Sequence, residues 1–246
     1  MAVNATWVWV RENRPVDPDA AARFARDHGV RTAWVSVPWA GPDERVRAVA
    51  QALRLHGIAV VALGGSPDWA EHPERAGDWA RRATAGNAFG SVHLDIEAWT
   101  LPHWSTDADR LLSGTEAAAR LATTATGSAV EIDLAPHLAR THPHGFATVA
   151  RAAGAVTLMS YRASSPAILA LASPAVKALR VVGRPYRLAV DTLPSTNPDT
   201  TFAGRHTAYL QAVVTDVAGE LAADPRFRGV AVHDVRGWQD LPRTGS

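Results

Sequence analysis

The chain contains no cysteine, which excludes disulfides and thiolate metal sites and leaves the redox compartment open. It also lacks an excess of charge. The formal net charge is +1, with acids and arginines interspersed and no basic stripe, so neither nucleic acid nor an acidic membrane is expected as a partner. No apolar run approaches the length of a membrane span. The opening residues, MAVNATWVWVRENRP, lack the basic and then apolar regions of a signal peptide. A leader removed upstream would leave the same start, so the cytoplasm and secretion both remain open. Tyrosine and phenylalanine are scarce, three and five, against nine tryptophans, so the tryptophan positions carry the information.

What is present fits one large globular domain over residues 1–246. Apolar residues make up 47% and charged residues 20%, and no linker or low-complexity stretch divides the chain. Short Val/Ile/Leu/Ala-rich runs predict strands at about 5–10, 32–37, 57–63, 91–97, 129–134, 155–161, 186–191 and 229–234. Helix-period segments lie between them at 18–28, 43–55, 72–84, 106–125, 144–152, 165–181 and 206–223. Asp17 and Pro18 make a strong helix start. Gly29, Gly57, Gly90, Gly127, Gly154, Gly183 and Gly229 stand where each helix must stop and turn into a strand. Repeated βα units of this number and length predict an α/β fold, a (β/α)8 barrel. No Gly-rich phosphate fingerprint follows the first strand. Only eight residues follow Trp238, so the last helix is expected to be missing or vestigial.

Barrel sites of this kind lie at the C-terminal ends of the strands. The stretch SVHLDIEAW, residues 91–99, alternates Val92, Leu94 and Ile96 with His93, Asp95 and Glu97. Period-two alternation turns the titratable set into the barrel. The same reasoning sends Glu131 and Asp133 inward from the fifth strand, puts Met159 and Tyr161 on one face of the sixth, and places Asp191 and His233 inward on the last two. Converging carboxylates must be protonated, paired with Arg11 or Arg162, or bound to a metal. A structural network of buried acids explains any one of them, but the whole set at strand ends points to a site. Trp9, Trp39, Trp69, Trp99, Trp104 and Trp238 fall at or just after strand ends, as platforms for sugar rings would. Trp7, Trp34 and Trp79 are expected to fill the core.

Asp95-x-Glu97 in GSVHLDIE and Met159-x-Tyr161 in LMSYR resemble the strand-four and strand-six motifs of family 18 glycoside hydrolases, the chitinases and their relatives. Their longer pattern, Asp-x-x-Asp-x-Asp-x-Glu, has Gly90 and His93 here in place of its first two aspartates, and Arg162 replaces an expected aspartate. A Trp near the end of strand eight is also family-like, and Trp238 could play that part. The resemblance implies Glu97 as general acid/base, Asp95 orienting a 2-acetamido group, and Tyr161 hydrogen-bonding that group. Two carboxylates separated by about 6.6 Å along one strand face can address one sugar, and each raises the pKa of the other. His93 below Asp95 is expected to be a cation that keeps Asp95 ionised, and Arg162 would suit an anionic or deacetylated sugar. If the sugar lacks an acetamido group, Asp191 or Asp133 takes the nucleophile or base role. Family 25 lysozymes share Asp-x-Glu late in a strand, and RENRP carries an Arg-Glu-Asn similar to that of glycerophosphodiesterases, without their His.

The leading expectation is therefore a glycoside hydrolase acting on a poly- or oligosaccharide, amino sugars included. Its catalytic residues would be Glu97, Asp95, Tyr161 and Asp191. Trp9, Arg11, Trp39, Trp69, Trp99, Asp133, Arg162, His233 and Trp238 would bind substrate. Neither a metal nor another cofactor is called for, and a monomer is expected. Two alternatives stand beside it. One is a non-catalytic carbohydrate-binding barrel. The other is a metal-dependent lyase or isomerase using His93, Asp95, Glu131, Asp191 and His233.

Overall fold

The computed structural model describes residues 2–243; positions 1 and 244–246 of the expected 1–246 domain lie outside the described residues. Eight parallel strands close into a barrel in sequence order. They are β1 (Val3–Val8), β2 (Thr32–Ser36), β3 (Ala59–Gly64), β4 (Val92–Leu94), β5 (Glu131–Leu134), β6 (Ala155–Met159), β7 (Tyr186–Asp191) and β8 (Phe227–His233). The outer ring consists of α1 (Pro18–Asp27), α2 (Glu44–Leu55), α3 (Glu74–Thr84), α4 (Trp104–Thr126), a short α5 (Leu138–Thr141), α6 (Pro143–Ala152), α7 (Ser165–Val182) and α8 (Thr207–Glu220). A five-residue α9, Val235–Gln239, follows β8.

Local chemistry sets the element ends. The Asp17 carboxylate accepts from the Asp19 and Ala20 amides at 3.0 Å, satisfying two otherwise free donors with Pro18 at the first helical position. Gly127 and Gly183 end α4 and α7 with φ of 68° and 77°, as left-handed caps do. Gly90 and Gly154 do not have a positive φ, so the junction rule fails there. At Gly154 a Cβ would lie 2.7 Å from the Ala129 methyl, and close approach explains it. Nothing in the structure explains Gly90.

The core has two layers. Val92, Leu94, Ile96, Val130 and Ile132 join the apolar shell between strands and helices. Inside the barrel, Ala5, Ala189 and Ala231 leave space that Trp7 and Trp34 fill, their rings 4.4 Å apart. Trp7, Trp34 and Trp79 are all buried, in keeping with the core role expected of them. The helix α7 differs from expectation. It is long and apolar enough to cross a membrane by length and composition, whereas the sequence reading found no such run. Here it carries Lys177 and Arg180, contains Pro174, and packs between α6 and α8 in the ring.

Candidate active site at the barrel mouth

Strand β4 is the shortest, and its early end shapes the site. The last ladder bond runs from the Asp95 amide to the Gly64 carbonyl at 3.0 Å, after which Ile96 and Glu97 leave the sheet. Glu97 has φ −86° and ψ 60°, outside the strand region. Ile96 still packs among the helices, so Asp95 and Glu97 both turn to the barrel axis as alternation requires. Gly65 makes this possible, because a Cβ there would sit 1.9 Å from the Asp95 carbonyl oxygen.

Beneath them lies a polar layer. His93 Nε2 and Asp133 Oδ2 are 2.9 Å apart with both side chains wholly buried. His93 also packs on Trp34, ring centres 4.3 Å apart. Burial is the largest influence and opposes the imidazolium, but Asp133, Glu131 and Asp95 together lift the His93 pKa; burial likewise raises the Asp133 pKa, against the pull of His93. Next to this pair, Glu131 accepts from Thr157 Oγ1 at 2.8 Å and from Arg187 Nη1 at 2.6 Å. Arg187, on β7, is the interior cation that balances the acids. Sequence reasoning gave that role to Arg11 or Arg162. The sequence signal was an arginine inside the strand run YRLAVD; its partner shows only in the register that sets Arg187 beside Thr157.

The layer below sets the protonation of the layer above. Burial, then the negative charges of Asp133 and Glu97, push the Asp95 carboxyl up to about 8. Its buried Oδ1 has no hydrogen-bond partner. Asp95 is thus a neutral acid near pH 7, and the expectation that His93 keeps it ionised is corrected: His93 is committed to Asp133. Burial and Asp133 also raise the Glu97 pKa, against weaker opposing effects of His233 and Trp99. Burial first, then the surrounding acids, hold the Tyr161 hydroxyl well above its ordinary range.

Asp95, Glu97, Tyr161, Met159, Trp9, Arg11 and His233 line one open cleft of about 690 Å³. Trp9 and Asp95 separate it from a second cavity of about 310 Å³, lined by Ser36, Trp39 and Trp69. Asp191 does not line either. Its Oδ1 lies 2.9 Å from His233 Nδ1 and accepts from the Leu193 amide at 3.3 Å, so it stands behind His233 and orients it. His233 Nε2 takes the Trp9 indole N–H at 3.2 Å. An indole is only a donor, so this bond requires an unprotonated Nε2 with the ring proton on Nδ1, while Asp191 lifts the His233 pKa against burial. Tyr161 stacks on the same imidazole at 5.9 Å.

Other expected binding residues are placed differently. Asp133 is 0% exposed under the site. Trp238 is 2% exposed and packs on Phe24 and His28 outside the barrel, because α9 turns its ring toward α1. Arg162 bonds back to the Tyr161 carbonyl at 2.7 Å and lines neither cavity. Trp99 packs against the outer core and touches the site only through Glu97. Two platform faces are already occupied: Arg11 lies over Trp9 at 5.2 Å and Arg82 over Trp39 at 4.5 Å. Missed by sequence reasoning were Arg14 and Thr192, in loops beyond strand ends, and Arg236 of α9, all on the cleft wall. Among the described residues no three His, Asp or Glu side chains are arranged to hold a metal ion. The five residues of the metal alternative are dispersed over the pairs and the neutral acid just described.

Compared by sequence, the chain matches no protein family and no curated protein. Compared by structure, it is similar to (β/α)8 glycoside hydrolases. A class V chitinase mutant from Cycas revoluta, in complex with (GlcNAc)3, superposes with a TM-score of 0.62 over 96% of each chain at 12% identity. The spore cortex-lytic enzyme SleL of Bacillus cereus gives 0.59 over 99% of this chain and 75% of its own, at 11% identity. A putative deoxyribose-phosphate aldolase from Toxoplasma gondii gives 0.56 over 97% and 91%, at 15% identity. At such identities the likeness is one of fold, and different chemistries share it.

Proposed function

We propose that the chain is a glycoside hydrolase acting on a poly- or oligosaccharide, with Glu97 as general acid/base and Asp95 as its partner. One observation carries this reading. Two carboxyl groups with raised pKa, two residues apart, line an open cleft at the catalytic end of the barrel. A glycosidic oxygen needs a proton as its bond to the anomeric carbon breaks. Glu97, partly exposed and with a pKa raised by burial and Asp133, is the proton donor in this reading. The resulting carboxylate then takes a proton from the water that completes hydrolysis. Asp95 and Tyr161, both neutral at pH 7, supply hydrogen-bond donors to the ring substituent beside the anomeric carbon. A 2-acetamido group fits that role, in keeping with the family 18-like motif. His233, fixed by Asp191 and Trp9, forms the opposite wall.

The test is Glu97→Gln, which keeps the shape and removes the proton donor. Hydrolysis of chito-oligosaccharides and β-1,4-mannan oligosaccharides is followed by mass spectrometry. Expected is a loss of about 10²–10⁴-fold in kcat with an intact fold. Undiminished hydrolysis in the variant would remove Glu97 from the chemistry. Binding without cleavage by the wild type would turn the reading to a carbohydrate-binding barrel.

A further inference from the structure

The RENR turn, residues 11–14, takes no part in the proposed catalysis, yet it forms one wall of the cleft. The chain folds back on itself there, with Arg11 and Arg14 bridged and the Arg14 amide bonded to the Arg11 carbonyl at 3.3 Å. The acid of the turn, Glu12, points away and lies 3.8 Å from Arg45 on α2. Arg11 and Arg14 are left facing the cleft, and Arg236 of α9 joins them. Among the described residues, no carboxylate comes within 4.0 Å of any of these three guanidiniums.

The acids that share the cleft do not neutralise them. Asp95 is uncharged near pH 7, and Glu97 is shifted the same way. The Asp234 carboxylate is buried and accepts from the Gly237 amide at 2.7 Å. Only Asp240 is an exposed acid on this lining. Three fixed cations against one exposed acid, Asp240, leave a net positive charge at the mouth of the cleft. Arginine presents a planar fork of donors that matches carboxylate, sulfate and phosphate oxygens.

We infer that this cleft selects saccharides carrying oxyanion groups, held by Arg11, Arg14 and Arg236, over neutral or cationic ones. The inference rests on the reading of the cleft as a saccharide site. It replaces Arg162, which lies off the cleft, with three arginines that line it. It also disfavours a deacetylated amino sugar, whose ammonium groups these cations would repel.

The test measures binding to the full chain by titration calorimetry. The probes are oligogalacturonate and hyaluronan hexasaccharides, both with their carboxyl-reduced counterparts, a chondroitin sulfate hexasaccharide, chitohexaose, and the fully deacetylated chitosan hexamer. At least one acidic probe is expected to bind at least about tenfold tighter than its neutral counterpart. The carboxylate and sulfate arms show which oxyanion is preferred. Arg14→Ala with Arg236→Ala, two substitutions at partly or fully exposed sites with folding checked by circular dichroism, should remove that preference. A carboxyl-reduced or cationic probe that binds as tightly as the acidic ones would overturn the inference, as would failure of every acidic probe to bind. Cleavage separates this from the hydrolase reading. Glu97-dependent cleavage of neutral chitohexaose with no preference for acidic probes sinks charge selection alone. Preferential binding of acidic probes without Glu97-dependent cleavage of any probe upholds charge selection and sinks the hydrolase reading.

Discussion

Replacing Asp95 by asparagine tests the electrostatics of the site without any knowledge of the substrate. The asparagine resembles the protonated acid in shape and charge, so it removes one titration and little else. In the folded protein the Asp95 carboxyl is pushed up to about 8 by burial, Asp133 and Glu97; in the unfolded chain it returns to an ordinary value of about 4. Below about pH 4 the group is protonated in both states and contributes no pH dependence. Between about 4 and 8 the folded state binds the proton and the unfolded state releases it, so stability falls as pH rises. The slope is about 1.4 kcal/mol per pH unit, which accumulates to a ceiling of ~5 kcal/mol by pH 8. Asp95→Asn escapes that loss. Urea unfolding of both proteins at pH 4, 6 and 8 should therefore show the variant gaining on the wild type by a few kcal/mol across the series. Glu97 and His93 titrate in both proteins, and their coupling to Asp95 changes the size of the gain and not its sign. A difference that stays constant to within about 1 kcal/mol, or that moves against the variant as pH rises, would refute the argument. The latter result would mean that Asp95 is ionised in the folded protein, as the sequence alone suggests through His93.

Three further outcomes follow from the same interior. Asp133→Asn removes a negative charge that raises the Glu97 pKa. Because the acid must be protonated to act, activity is lost as pH rises through that pKa, and the alkaline limb of kcat/KM should move to lower pH in this variant. Arg187→Met leaves the partly buried Glu131 without its cation but with its Thr157 hydrogen bond, and chemical denaturation should register a loss of about 1–3 kcal/mol. Gly65→Ala drives a methyl into the Asp95 carbonyl; a stability loss of about 1–3 kcal/mol together with a drop in kcat larger than that of any nearby surface variant is expected by denaturant and steady-state assays.

The division between what the sequence discloses and what it withholds has a physical origin. Alternation along a strand is a local property, so LDIE places Asp95 and Glu97 on the inner face without knowledge of the neighbours. Helix ends are equally local, and Asp17-Pro18 and Gly183 mark theirs as they should. Partnership is not local. His93 sits beside Asp95 in sequence and invites pairing with it, but β5 lies next to β4 in the barrel, and its Asp133 meets the imidazole instead. Arg187 reaches Glu131 from 56 residues away, across β6, and no spacing rule connects them. Short elements fail for a related reason. The strands around Asp95 and Tyr161 end two or three residues before their apolar alternation does, since bonding across the barrel stops where the strands splay. That splaying is also why the site is there. The residues just past the last ladder bond keep the inward direction of the strand but lose its close neighbours, which opens the cleft between them. In that position Asp95 remains buried enough to stay neutral while Glu97, two residues further out, meets solvent. The proposed proton donation draws on this contrast between a neutral acid held deep and a more exposed acid of raised pKa, and the contrast follows from how far each lies beyond the end of β4.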